Sequence, residues 1–238
     1  MQRTFYLWPR AALAAALCFV LVALVPLAAQ AAVATVEELD GSAFAFTPGA
    51  PMQRLARGDG VEQGAKVVTG ADSSAKLVFT DGTQLELGER TTIAVDNYRY
   101  APDEAEDEQG FTFSTSIFAG VVRAVTGLIG KRRPTNVSFR TPVATIGIRG
   151  THFTAEVQGS SATIILLAQV AGGGSNAIEV SNQYGSVAID EAGYGTEIPD
   201  EHSPPSPPRR MDVTRNMGRV LRSLNTTRRV RVPRSPIH

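Results

Sequence analysis

The 238-residue chain carries 23 basic and 23 acidic residues, 43% hydrophobic residues and one cysteine. That apolar share excludes a wholly disordered chain, a lone cysteine excludes a disulfide framework or a cysteine-built metal cluster, and a balanced charge excludes a uniformly basic nucleic-acid binder. The balance is uneven along the chain, with net −8 over 32–198 and +6 over 199–238.

Arg3 and Arg10 precede an apolar run from Ala11 to Ala29, followed by Ala29-Gln30-Ala31. Residues 1–31 therefore read as a signal peptide cut before Ala32, with an uncleaved membrane anchor as the alternative. Cys18 lies inside this segment, so the mature chain is expected to rely on packing alone.

Val33–Leu39 and Ser42–Phe46 read as strands joined by Asp40-Gly41. From Leu55 to Leu87 glycines punctuate alternating apolar residues, and Val67, Leu77, Phe79, Leu85, Leu87, Ile93 and Val95 all occupy odd positions. A half-buried sheet requires that period. A two-residue turn at Asp81-Gly82 would put Leu77 and Leu85 on opposite faces. A three-residue loop, Thr80-Asp81-Gly82, instead sets Leu77 against Leu85 and Ala75 against Leu87, with Gly82 in the left-handed position.

Ala101 to Glu108 is acidic but lacks the glycine-bearing spacing of a calcium loop and reads as solvated surface. Phe111–Phe118, Val121–Val125 and Asn136–Arg140 read as strands, with Lys131-Arg132-Arg133-Pro134 as a polar turn. Apolar parity changes between Ile148 and Phe153, which places a β-bulge at Gly150 and re-aims Arg149, a candidate interaction residue. Ala162–Val170 reads as a strand, and Ala177–Ser181 with Ser186–Asp190 as a hairpin about Gln183-Tyr184-Gly185. Ser203 to Pro208 is an extended linker unsuited to a sheet, so the folded domain is expected to span 32–198. Beyond it, Val213, Met217, Val220, Leu221 and Leu224 have helical spacing opposite Arg215, Arg219 and Arg222, candidate anionic-surface contacts. A helix this short is marginal alone, and residues 199–238 are expected to be mostly disordered.

The segment from Arg57 to Gly88, RGDGVEQGAKVVTGADSSAKLVFTDGTQLELG, resembles the FecR domain of bacterial cell-envelope proteins, and so does Thr141-Pro142-Val143-Ala144-Thr145-Ile146-Gly147-Ile148-Arg149-Gly150-Thr151 with His152 and Phe153. The resemblance spans Val33 to Ile198. It implies an envelope protein that recognises another protein, since FecR relays a signal from an outer-membrane receptor to a sigma factor. Only Met1–Arg10 precedes the apolar run, and no second module is read after Ile198. The expectation is therefore the shared β-domain alone, without the sigma-contacting domain.

Enzymatic motifs do not emerge. His152, His202 and His238 are the only histidines, and no nucleophile elbow, metalloprotease pair or phosphate loop accompanies them. The sequence predicts a single all-β domain, a glycine-turned sandwich or short solenoid, exported to the periplasm or beyond. Its expected role is non-enzymatic: an interaction or scaffold module binding an envelope protein through exposed strand edges. The alternative is binding to envelope glycan or membrane through the basic tail. No cofactor, metal or nucleic acid is expected.

Overall fold

The computed structural model describes residues 31–101, 110–150, 152–169 and 176–213. The signal-peptide segment, most of the acidic loop and the tail arginines Arg215, Arg219 and Arg222 lie outside them. The described chain is all-β, with seventeen strands and one short α-helix.

The first eight strands are β1 (Ala32–Asp40), β2 (Ala43–Phe46), β3 (Gln53–Arg54), β4 (Gly60–Glu62), β5 (Lys66–Thr69), β6 (Ser74–Phe79), β7 (Gln84–Leu87) and β8 (Thr92–Arg99). A long β9 (Thr112–Val125) leads to helix α1 (Leu128–Arg132), a 3-10 turn at Pro134–Asn136, β10 (Val137–Arg140) and β11 (Thr145–Arg149). β12 (His152–Gln158), β13 (Ser161–Leu166), β14 (Ala177–Asn182), β15 (Gly185–Ile189), β16 (Tyr194–Ile198) and β17 (Arg209–Arg210) follow.

These strands form two layers that share β9. The first layer runs β4-β1-β6-β7-β9-β12-β13-β16-β17, and the second runs β3-β2-β5-β8-β9-β10-β11-β14-β15. Every pairing is antiparallel except β9 with β10. Beyond the β4–β1 and β3–β2 ends both layers run in chain order, and glycines sit in several of the crossings between them, Gly41 between β1 and β2, Gly70 between β5 and β6, Gly88 between β7 and β8 and Gly150 between β11 and β12.

The predicted hairpin is present in its predicted register, with Ala75 opposite Leu87 and Leu77 opposite Leu85. The Phe79 amide donates to the Thr83 carbonyl at 2.8 Å across the three-residue loop, and Gly82 has φ +84°. All seven odd-numbered apolar residues are buried. Phe79 and Phe153 from the first layer and Phe113 and Phe139 from the second form one aromatic row, with centroids 4.9 to 5.4 Å apart along it. Two of these contacts are edge-on and the third, Phe113 with Phe139, is tilted at 52°; such ring pairs fill the space between layers while adding about 0.5–1.5 kcal/mol each beyond burial.

Four expectations differ. The strands read at Phe111–Phe118 and Val121–Val125 are one strand, β9, which pairs with β8 before its bend and with β7 after it. Gly120 makes the bend with φ +89°, where a Cβ would lie 2.5 Å from Thr91 Cα. Gly150, φ +59°, is a corner rather than a bulge, because β11 and β12 belong to different layers. Lys131 and Arg132 close helix α1 instead of forming a plain turn. Pairing also continues past Ile198: the Ser206 amide donates to Glu197 at 3.0 Å, the Met211 amide donates to Gly193 at 2.8 Å, and β17 lies against β16. Prolines sit at 204, 205, 207 and 208, between the residues that supply these amides, so the linker can pair despite its composition.

Candidate functional site

On the outward face of the second layer, β11, β14 and β15 form the floor of a groove of about 750 Å³, walled by α1 and the 3-10 turn. The floor is low because each long outward residue is flanked by small ones: Gly147 and Ala188 lie on either side of Glu179, and Ala177 lies opposite Arg149. A Cβ on Gly147 would meet only the Glu179 carbonyl, at 3.9 Å. The groove is thus open for lack of side chains, not through backbone strain. Lys131 stands on the wall, with Arg149, Glu179 and Asp190 around the floor. Among the described residues, neither Glu179 nor Asp190 has an ion-pair partner.

The wall is held from the far side by the hairpin loop. Asp81 is 2% exposed, yet its carboxylate accepts from the Thr83 amide at 3.0 Å, the Thr83 hydroxyl at 2.8 Å and the Ile129 amide at 3.2 Å. The Leu128 amide donates to the Asp81 carbonyl at 2.9 Å, and the Gly127 amide to Thr83 Oγ1 at 2.9 Å. Four amides near the start of α1 and in the loop therefore find acceptors, as buried backbone requires. Gly127 allows the approach, since a Cβ there would lie 2.4 Å from the Asp81 carbonyl oxygen. Tyr98 donates to the same carboxylate at 3.3 Å, and burial pushes its phenol well above the ordinary range.

The groove is bounded on its open side by β15. Gln183 and Tyr184 form a two-residue turn that makes Asn182 and Gly185 a hydrogen-bonded pair. Alternation then directs the backbone groups of Gly185, Val187 and Ile189 at β14, and those of Ser186 and Ala188 outward. Among the described residues no backbone group pairs with the outward set. The other layer edges are shorter or blocked: β3 has two residues, β4 three, and β17 two behind Pro207 and Pro208. β15 has five residues and neither charge nor proline; Pro204 packs beside Gly185 at its start, and beyond that end the strand lacks the usual devices that protect an edge.

A second polar cluster lies on the outward face of the first layer. Arg123 donates through Nη1 to Glu86 Oε1 at 2.6 Å and through Nε to His152 Nε2 at 2.7 Å. His152 Nδ1 lies 2.6 Å from the Ala168 carbonyl oxygen. The ring is therefore neutral with its proton on Nδ1. Burial first, and Arg123 in addition, hold it below the usual imidazole range against the opposing pull of the Ala168 bond and Glu86. Both ring nitrogens are engaged, and the one basic lone pair, on Nε2, is taken by Arg123. Among the described residues no cluster of histidine, cysteine and carboxylate side chains could hold a metal.

Of the residues singled out from sequence, Arg149 lies in the groove, Gly82 in the hairpin loop and Gly150 at the corner after β11. Arg215, Arg219 and Arg222 lie outside the described residues. Sequence reasoning missed Asp81, which it assigned only to a loop, and Glu86 and Arg123. The last two carried a signal, since each is a charged residue flanked on both sides by buried apolar neighbours.

Residues 65–173 match the family model described as FecR protein, so the resemblance carried by the two sequence blocks is shown. The match includes the hairpin loop, α1 and β11. Two crystal structures of a candidate anti-sigma factor from Parabacteroides distasonis align with TM-scores of 0.45 and 0.44 at 11% and 12% identity; each alignment covers 63% of this chain and 61% of that one. The chain thus spans less than two thirds of the length of these structural neighbours. No curated protein matches it.

Proposed function

We propose, taking as premise the FecR domain at residues 65–173, that this chain is an exported, non-enzymatic regulatory module of envelope signalling that accepts an extended segment of a protein partner on β15. The observation that carries this reading is the unprotected edge of β15 beside an open groove. An added strand would bond to the Ser186 and Ala188 backbone, giving affinity, while its outward side chains would enter the groove and give specificity. The acidic Glu179 and Asp190 favour a partner segment with basic residues at those positions. The structure of the His152 cluster also supports a non-enzymatic role, since its histidine serves the packing of β7, β9 and β12.

A photo-cross-linker at Ser186 tests the reading in intact cells, with the same probe at Met52, which is 60% exposed on the opposite end of the second layer, as the control. One defined protein should be captured from Ser186 and not from Met52, and Ala188→Pro should abolish that capture. Capture that survives Ala188→Pro would overturn strand addition at this edge. Recovery of the full chain from the cytoplasm would overturn export.

A further inference from the structure

The chain itself contains a segment with the chemistry this edge accepts. Arg229-Val230-Arg231-Val232 alternates basic and β-branched residues before Pro233, the period of a strand with one charged and one apolar face. We propose that this segment of the same chain is the resident occupant of the β15 edge, which an external partner strand must displace. The inference rests on β15 being the accepting edge.

Three observations converge. The first is charge and face. Outward along β15 stand Ser186, Ala188 and Asp190, with Glu179 directly behind Ala188 on β14. Neighbouring strands lie about 4.8 Å apart, so an arginine on an added strand opposite Ala188 can reach across its methyl to Glu179. Its companion two residues away meets Asp190. The carboxylates are exposed and lack ion-pair partners among the described residues, so an added strand would give them the direct ion pairs that Lys131 and Arg149, though on the same groove, do not make with them. Val230 and Val232 would then face inward beside half-buried Val187 and buried Ile189.

The second is reach. The Met211 amide bonds to Gly193, one short turn beyond Ile189, so the chain leaves the described fold close to the end of β15. The residues between Val213 and Arg228 can extend on the order of 50 Å, far more than the crossing needs. The third is precedent within the fold. Arg209, the first arginine after the proline-rich stretch, already pairs with Glu197 of β16, and β17 shows that this part of the chain adds to a layer edge.

Residue-resolved hydrogen exchange on the full mature chain, without a partner, tests the inference. The Ser186 and Ala188 amides should exchange at least about tenfold more slowly in the parent than in Arg229→Glu/Arg231→Glu, as a local opening equilibrium predicts. Val187, whose amide faces β14, should not change. Equal exchange at Ser186 and Ala188 in the two proteins would overturn the inference. Protection that rises with protein concentration would also overturn it, by placing a second copy on the edge. Either result leaves the cross-linking test of partner addition standing, because a bare edge still accepts a partner strand.

Discussion

Asp81 accepts the Ile129 amide through a carboxylate that also binds both donors of Thr83. The hairpin loop that reads as a mere turn is thereby the anchor of the groove wall. Asp81→Ala would leave the Ile129 amide and the Thr83 donors unsatisfied in a buried site, at about 1–3 kcal/mol for each group left orphaned. The expected result is a lowered denaturation midpoint together with faster amide exchange at Ile129. Asp81→Asn, which keeps one acceptor oxygen, should lose less of both. A full-stability Asp81→Ala protein with an unchanged Ile129 amide would remove the anchor role.

The bend in β9 gives a sharper contrast. Gly120→Ala forces a side chain onto φ +89° and against Thr91, whose hydroxyl accepts from the Val121 amide at 3.1 Å. Thr91 cannot withdraw without breaking that bond, so a loss of about 3 kcal/mol or more is expected. Gly159→Ala has φ +58° and open space around the new methyl, so it should cost only the left-handed penalty of about 1–2 kcal/mol. Urea midpoints of the two variants measured side by side check the difference.

Gly120 and Gly150 show what the sequence conveys and what it does not. The hairpin of β6 and β7 was legible because Leu77, Phe79, Leu85 and Leu87 fix its faces and a three-residue loop is needed to keep them together. Gly120 falls in the gap between the strands expected at Phe111–Phe118 and Val121–Val125, because a residue that passes one strand from layer to layer looks locally like a residue that ends it. Gly150 was legible as a change of parity but not as a corner, since a bulge and a corner shift parity alike. The groove was almost invisible: Ala188, Gly147 and Ala177 are unremarkable in sequence, and the edge status of β15 follows from which strands neighbour it in space. Arg149 is legible through the parity change at Gly150, whereas Asp81 is hidden because an aspartate before glycine already has an adequate role in a turn.

His152 should make stability depend on pH. Its folded-state pKa lies below the ordinary imidazole value because burial, and then Arg123, disfavour the charged ring. The unfolded chain therefore takes up a proton first as pH falls. This contribution is fully present above the unfolded value of about 6.5 and is lost as pH falls through the folded pKa. Protonation would also set a second donor against Arg123 Nε and break the 2.7 Å bond. Chemical denaturation at pH 8 and pH 5 should show a fall in stability that His152→Gln reduces. An identical fall in both proteins would assign the acid sensitivity to other groups.

Proline scanning along β15 tests the geometry on which partner addition depends. The Val187 amide faces β14, so Val187→Pro removes a ladder bond and sets the ring against the neighbouring strand, a change expected to cost about 3 kcal/mol. The Ala188 amide faces outward, and its side chain sits over the open groove floor, where nothing must move to admit the ring. In the Arg229→Glu/Arg231→Glu background, where the edge is bare, Ala188→Pro should therefore stay within about 1 kcal/mol of that background protein, as proline does on the free side of an edge strand. The comparison needs only purified protein and a denaturation curve. Equal costs at the two positions would mean that the outward groups of β15 are already engaged or that its hydrogen-bond phase is reversed, and the edge would then have no free N–H to offer at Ala188.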